Sequence, residues 1–357
     1  MTMKVSVCMI PAGPLDGLLD AIDAADQLGL HGLYTVDEPW WRGAYEMLTI
    51  AALRTRRVRG DQPGLRLGPD VTHLMREPVF VAQSLATLDE LSGGRVEAAL
   101  STGSLDLVAQ LGRHLDHPIG RLREAHAIIR QLLDTGALDR FDGTFYNIHN
   151  MFLTTRAIQD HLPVMLGGMR GPRSFRLAGE VSDGLHHAGA YKLGALQYAA
   201  DEFRAGAKRA GRDPKSLDLA AWVGGIISES SEEARRASLY MTAFYLPATP
   251  AEQLERHGID PDRVKPVLDA VNARDIAGAA RLVPPDIATA QSVSGTPEEA
   301  AEQIAEEFAP AGFTHLVFGL VSGDTVKALT GTDPGGIPSV AEQIELIARR
   351  LIPRLTG

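Results

Sequence analysis

Short β-rich runs and helical patterns alternate along this chain, and the alternation closes on a count of eight. The runs are residues 4–10 (KVSVCMI), 32–36 (GLYTV), 65–71 (LRLGPDV), 95–100 (RVEAAL), 163–166, 183–188 (DGLHHA), 217–227 (LDLAAWVGGII) and 314–320 (THLVFGL). Each is followed by apolar residues at helical spacing: Leu15, Leu18, Leu19 and Ile22, then Met47, Leu48 and Ala51, then Val81, Leu85 and Leu88. Helix ends carry their own signals. Pro78 opens one helix and Gly93-Gly94 ends it, Gly29 closes the first, and Ser230/Glu233, Thr296/Glu299 and Ser339/Glu342 read as capping boxes. Eight strand–helix units predict an α/β chain of the (β/α)8 TIM-barrel class. A doubly wound sheet is the competing arrangement, but nothing in it requires the count to stop at eight.

At 357 residues the chain exceeds the ~250 typical of such barrels. Two insertions account for the excess. Residues 139–155 read as a β-hairpin, and residues 245–292, with Pro247, Pro250, Pro261 and Pro284-Pro285, read as partly helical. No break separates a second domain, so residues 1–357 are expected to form one.

Composition removes several functions. The formal net charge is -10 without basic runs, which argues against nucleic acid as a partner. The single cysteine, Cys8, allows no disulfide within the chain and suits a reducing cytoplasm. The N-terminus lacks a signal-peptide pattern, and no apolar run reaches membrane-spanning length. Eleven histidines show no metal-binding spacing; His186 and His187 are adjacent, and on a strand they would face opposite ways. No metal is expected, and a small molecule is the expected substrate.

In a (β/α)8 barrel the chemistry lies at the C-terminal strand ends. After the second strand come Asp37, Glu38, Trp40 and Trp41; after the third, Asp70, Val71, Thr72 and His73; after the fourth, Ser101, Thr102, Gly103 and Ser104; and beside the sixth, His187. After the fifth the chain runs Gly167, Gly168, Met169, Arg170, Gly171, and then Pro172 opens a helix. Each group has a mechanical reading: carboxylates cap helices, tryptophans pack, and glycines make tight turns. Together they also suit a flat aromatic cofactor with a phosphate tail, because a helix N-terminus attracts phosphate.

These stretches, "LGPDVTH", "REPVFVAQSLATLDELSGGRVEAALSTG" and "PVMLGGMRGPRSFRLAGEVSDG", resemble the luciferase-like monooxygenase superfamily, and most of all its coenzyme F420-dependent branch related to methylenetetrahydromethanopterin reductase. The resemblance spans residues 4–230 and resumes at 295–320. It implies a flavin or deazaflavin at the strand ends, F420 rather than FMN. It implies a non-prolyl cis bond at Asp70-Val71, bulging toward the ring. It also implies cofactor contacts from Trp40, Asp70, Val71, Thr72, Thr102 and Gly103, and a phosphate turn at Gly167, Gly168, Met169, Arg170 and Gly171. Where the branch commonly has Asp-His after the second strand, this chain has Asp37-Glu38. Glutamate also exchanges protons when burial tunes it, and Asp37 and Glu38 are the expected catalytic pair. The departure weighs against alcohol oxidation.

The expected activity is hydride transfer between F420 and a small organic substrate, by a homodimer such as the family often forms. The alternatives are an FMN-dependent monooxygenase using O2, a non-catalytic flavin-binding protein, and a cofactor-free isomerase or aldolase. The last would want a lysine or metal triad at the strand ends, and neither is present.

Overall fold

A computed structural model describes residues 3–169, 171–189 and 191–355. Eight parallel strands carry the fold: β1 (Lys4–Met9), β2 (Gly32–Thr35), β3 (Arg66–His73), β4 (Ala98–Ser101), β5 (Val164–Gly168), β6 (Gly184–Ala188), β7 (Asp218–Ile227) and β8 (His315–Leu320). The main helices are α1 (Leu15–Gln27), α2 (Ala44–Arg54), α3 (Pro78–Ser92), α4 (Pro118–Thr135), α5 (Pro172–Val181), α6 (Leu193–Arg209) and α7 (Ser231–Tyr245). The fold class is the (β/α)8 TIM barrel that the alternation predicts.

By its internal contacts the chain divides into two compact units. One is Gly32–His186 with Glu202–Asp218; the other is Met1–His31, His187–Asp201 and Leu219–Gly357.

In the first unit β2 pairs with β3 from Gly32↔Arg66 to Thr35↔Pro69, and β4 pairs with β5 from Ala98↔Val164. Between them β3 pairs with β4, but the register slips between Asp70 and Thr72. The strands lie close. A side chain at Gly68 would place its Cβ 1.7 Å from the Glu97 carbonyl oxygen, so only glycine fits. Where β4 begins, Arg95 is fully buried, and its charge is met by oxygens: Nε donates to the Ser92 carbonyl, Nη1 to the Leu65 carbonyl and the Thr55 hydroxyl, and Nη2 to the Ala52 carbonyl. A buried guanidinium demands such partners. Asp89 does the same for amides, accepting from the backbone of Val96, Ile158 and Gln159. The expected hairpin forms from Ala137–Asp142 and Asn147–Phe152.

In the second unit β8 lies between β1 and β7, from Lys4↔His315 and Ala220↔His315 onward. Every residue of β8 is buried, as befits a parallel strand covered on both faces. The insertion after β7 is helical and has its own apolar cluster, including Leu246, Leu254, Ile259, Val264, Val267, Val283 and Ile287. Its prolines open helices rather than interrupt them: Pro261 starts one short helix, and Pro284-Pro285 another.

Some sequence expectations shift at the ends of elements. The strand after Pro163 continues through Gly167 and Gly168 instead of stopping there. The helix that carries Met47, Leu48 and Ala51 ends at Arg54, and a small antiparallel pair at Val58–Arg59 and Gln62–Pro63 follows. Ser230 accepts from the Glu233 amide, but the Glu233 carboxylate turns to the Ser228 hydroxyl, so only half of that capping box forms. The boxes at Thr296 and Ser339 are complete.

Candidate functional site

The sequence-selected residues that the structure describes fall in the unit built on β2 to β6, except His187, which belongs to the other unit. Arg170 lies outside the described residues. The peptide bond Asp70-Val71 is cis, and the β3 register slips at this step, so the strand bulges where the resemblance placed a bulge.

Gly167 explains where that bulge goes. A Cβ on Gly167 would stand 2.6 Å from Val71 Cγ1 and 3.2 Å from Ser101 Cβ. The absence of a side chain at Gly167 thus makes room for Val71. Gly168 serves packing too, since a Cβ there would meet the Phe175 ring at 3.0 Å and Leu185 at 3.3 Å. Gly171 differs: nothing lies within 4 Å of the position its Cβ would take. It precedes Pro172 at the start of α5, and no side chain caps that helix. Ser174 and Phe175 amides turn back to the Gly171 carbonyl. The turn therefore has two parts, a packed half at Gly167-Gly168 and an open half at Gly171, next to a helix N-terminus of the kind that attracts anions.

The two carboxylates after β2 occupy different settings. Asp37 is 4% exposed. Its Oδ2 accepts from Arg76 Nε at 2.7 Å and from the Thr72 hydroxyl at 2.8 Å, while Oδ1 accepts from Arg76 Nη2 at 2.8 Å. Asp37 in turn holds the Arg76 guanidinium above its ordinary value through these bonds. The guanidinium also lies over the Tyr45 ring, 5.2 Å from its centroid. Glu38 has no such clamp. Burial pushes its carboxyl up to about 7; the Trp41 N–H, 3.3 Å from Oε2, holds it back, and the Asp37 charge adds to the rise. A carboxyl poised near neutrality is suited to proton exchange.

The remaining residues lie at or just after the ends of β2, β3, β4 and β5. Trp40 is 38% exposed and donates to Gln110 at 2.9 Å, fastening the loop after β2 to the short helix Leu105–Gln110. His73 is buried, and burial lowers its pKa, against a hydrogen bond to the Asp37 backbone. Ser101 accepts from the Gly103 amide at 3.0 Å, and Gly103 has φ of 85°, so this turn requires glycine. The Thr102 hydroxyl lies 3.4 Å from the Gly103 carbonyl. Met169 follows the end of β5 and is part-buried.

Beneath the bulge lies a polar group that the residue pattern did not reveal. Asp70 Oδ2 is 3.1 Å from His186 Nδ1, and both side chains are almost wholly buried. Burial alone would lower the His186 pKa, but the carboxylates of Asp70, Asp218 and Glu97 override it and the pKa is raised. The Tyr34 hydroxyl donates to Glu97 at 2.9 Å, and the Tyr34 ring meets His186 edge-on at 5.9 Å. Asp70 is thus turned toward the protein interior, and Val71 is the residue that the bulge presents toward Gly167. Arg76 was also missed. Its signal is a lone basic residue in "THLMREP", one strand away from an acidic pair.

The luciferase-like monooxygenase family model matches residues 3–315. The 5,10-methylenetetrahydromethanopterin reductase of Archaeoglobus fulgidus is 29% identical over 358 residues, covering 99% of this chain and 100% of that protein. The reductase of the same name from Methanolobus tindarius is 29% identical over 319 residues, covering 89% and 94%. Among solved structures, the coenzyme F420-dependent tetrahydromethanopterin reductase of Methanopyrus kandleri superposes with a TM-score of 0.85 at 25% identity, over 99% of this chain and 100% of that one. With the bulge at Asp70-Val71 and a family match over nearly the whole length, the chain belongs to the luciferase-like monooxygenase family.

Proposed function

We propose that this protein is an F420-dependent oxidoreductase that transfers hydride between the deazaflavin and a small organic substrate, with Glu38 exchanging the accompanying proton. The single observation that carries the proton role is the contrast between the two carboxylates: Asp37 is saturated by Arg76 and Thr72, while Glu38 is poised near neutrality. The solved structure named as a coenzyme F420-dependent reductase supports the cofactor, and relatives at 29% identity named 5,10-methylenetetrahydromethanopterin reductase make that compound the first substrate to assay.

The residues present fit a deazaflavin with a phosphate tail. Gly171 leaves open space beside the α5 N-terminus, where backbone and dipole favour a phosphate. The Gly167–Gly171 turn would hold that phosphate, with Arg170 contributing charge, and Val71, Thr72, Thr102, Gly103 and Trp40 would flank the ring. When bound, the deazaflavin supplies a carbon that carries hydride without readily activating oxygen. Everything else is the protein's part. The bulge sets the height of the floor, the loop after β2 brings Glu38 to the site, and the Trp41 N–H orients the Glu38 carboxyl. In the reducing direction the protonated carboxyl donates; in the oxidising direction the carboxylate accepts.

Two further parts of the reading are also proposals. The protein is a homodimer; Leu53 on α2 and Phe80 on α3 are 67% and 63% exposed, and large exposed apolar side chains on neighbouring helices suit a second copy. Its location is the cytoplasm, in keeping with a single, buried cysteine. No helix among the described residues is long and apolar enough to cross a membrane.

The test is Glu38→Gln, assayed by F420 absorbance with 5,10-methylenetetrahydromethanopterin. Loss of a general acid is expected to lower kcat by about 10²–10⁴-fold while F420 affinity holds. A variant with unchanged kcat would remove Glu38 from the reaction.

A further inference from the structure

We infer that the Arg76–Thr72 clamp fixes Asp37 as a hydrogen-bond acceptor beside Glu38, so that Arg76 is a positioning residue acting on Glu38 through Asp37. The inference deepens the function proposed above and rests on it for its catalytic consequence.

The geometry leaves Asp37 little freedom. A carboxylate that receives three donors at 2.7–2.8 Å is acting only as an acceptor. Two of these donors come from one guanidinium, which grips both oxygens in a fork and fixes the plane of the carboxylate. Thr72, 1% exposed, closes the remaining side. Protonating Asp37 would set a hydrogen against an N–H or O–H donor, at the loss of a charge-assisted bond. The clamp also ties the loop after β2 to the end of β3, the strand that carries the bulge. One set of bonds thus registers the proton-bearing loop against the floor of the site.

The charges around the pair come from three elements. From the loop after β2 there are Asp37 and Glu38 themselves. The end of β3 and the turn beyond it supply His73, whose ring faces the Asp37 backbone, and Arg76. From the first turn of α2 there are Tyr45, under the guanidinium, and Glu46, which acts on Arg76. Arg76 and Asp37 neutralise each other locally, and Glu38 still feels the nearer anion. Removing either partner therefore has a distinct signature. Without the Asp37 charge, Glu38 loses a neighbour that disfavours its ionisation. Without Arg76, the Asp37 charge acts on Glu38 without its counter-charge, and the loop after β2 loses its tie to the turn beyond β3.

The experiment is a pH titration of the unliganded full-length protein, followed by carboxyl infrared bands in protein carrying ¹³C-labelled Asp or Glu. Glu38→Gln assigns the Glu38 band, and circular dichroism confirms that each variant is folded. In the wild type the Glu38 carboxyl titrates at about pH 7. Asp37→Asn moves the Glu38 midpoint down by about one pH unit. Arg76→Gln moves it up, because the Asp37 charge then acts on Glu38 without its counter-charge, and Arg76→Lys, which keeps the charge, returns it toward the wild-type midpoint. If Arg76→Gln is unfolded, Thr72→Val removes one of the three donors while leaving the charge, and a smaller move of the Glu38 midpoint is expected. The inference is overturned if neither Asp37→Asn nor the clamp variants move the Glu38 midpoint. The titration uses neither cofactor nor substrate, so it stands or falls separately from turnover. In turnover, Arg76→Gln is expected to shift the pH profile of kcat with little change in F420 affinity, a split that mere loosening of the fold would not produce.

Discussion

Gly167 and Gly171 sit four residues apart in one turn, and the structure assigns them different work. Substituting each with alanine separates the two roles. At Gly167 the added Cβ would lie 2.6 Å from Val71 Cγ1 and 3.2 Å from Ser101 Cβ. Val71 lies at the bulge of β3, between two strands of the sheet, so the bulge or β5 must shift. Overpacking of this kind costs about 1–3 kcal/mol, and in a chain of this size it lowers Tm by a few degrees. F420 affinity should fall with it, because the moved residue is the one expected against the ring. At Gly171 no atom lies within 4 Å of the new Cβ. Stability should change by only a few tenths of a kcal/mol to about 1 kcal/mol, the usual range for this substitution at a helix N-cap. A phosphate approaching the α5 amides would still meet the methyl group, and F420 affinity should drop by about tenfold or more, the loss of one charge-assisted bond. Thermal unfolding and F420 fluorescence titration of both variants provide the readings. A Gly167→Ala protein with wild-type Tm and affinity would refute the packing of Val71 into that space. A folded Gly171→Ala protein with wild-type affinity would show that the turn is only mechanical.

Three further outcomes follow from the same structure. Because burial holds the Glu38 carboxyl at about 7 in the folded protein, above its unfolded value of 4.5, the folded state binds the extra proton between these values. Wild-type stability should therefore decline as pH rises from about 4.5 through 7, and Glu38→Gln should gain on it over that window; parallel pH–Tm curves would count against this. Light scattering should give the mass of two chains, and Phe80→Glu should shift it toward one, whereas a monomeric wild type would refute the homodimer. If residues 1–357 act as a single domain, calorimetry should show one cooperative transition, and two resolved peaks would overturn that expectation.

Much of the fold was legible because parallel strands covered on both faces are written as short apolar runs, and helices announce their ends. HLVFGL at 315–320 and the capping box at Thr296 are both read correctly from residue order alone. Strand ends were less legible where glycines carry them. Gly167 and Gly168 look like a stop signal, yet they continue β5, since their lack of side chains serves neighbours on β3 and α5. The positions of the candidate site residues followed from the strand count, and the Asp70-Val71 step from family resemblance. What residue order could not convey was pairing across strands. Asp37 and Glu38 look equivalent in sequence, and the clamp of Arg76 and Thr72 on Asp37, from 39 and 35 positions away, makes them different. Asp70 and His186, far apart in sequence, are likewise brought together only by the fold.

The central claim is that this site takes F420 and uses it for hydride transfer. The most direct measurement adds F420 and, separately, FMN to the purified protein, follows each by fluorescence quenching, and then adds substrate to the F420 complex while recording the deazaflavin absorbance. Saturable F420 binding tighter than that of FMN, with substrate-dependent change in the deazaflavin spectrum, is the predicted result. Micromolar FMN binding without F420 binding, or O2 consumption by the FMN complex, would contradict it and place the protein with the oxygen-using members of the family.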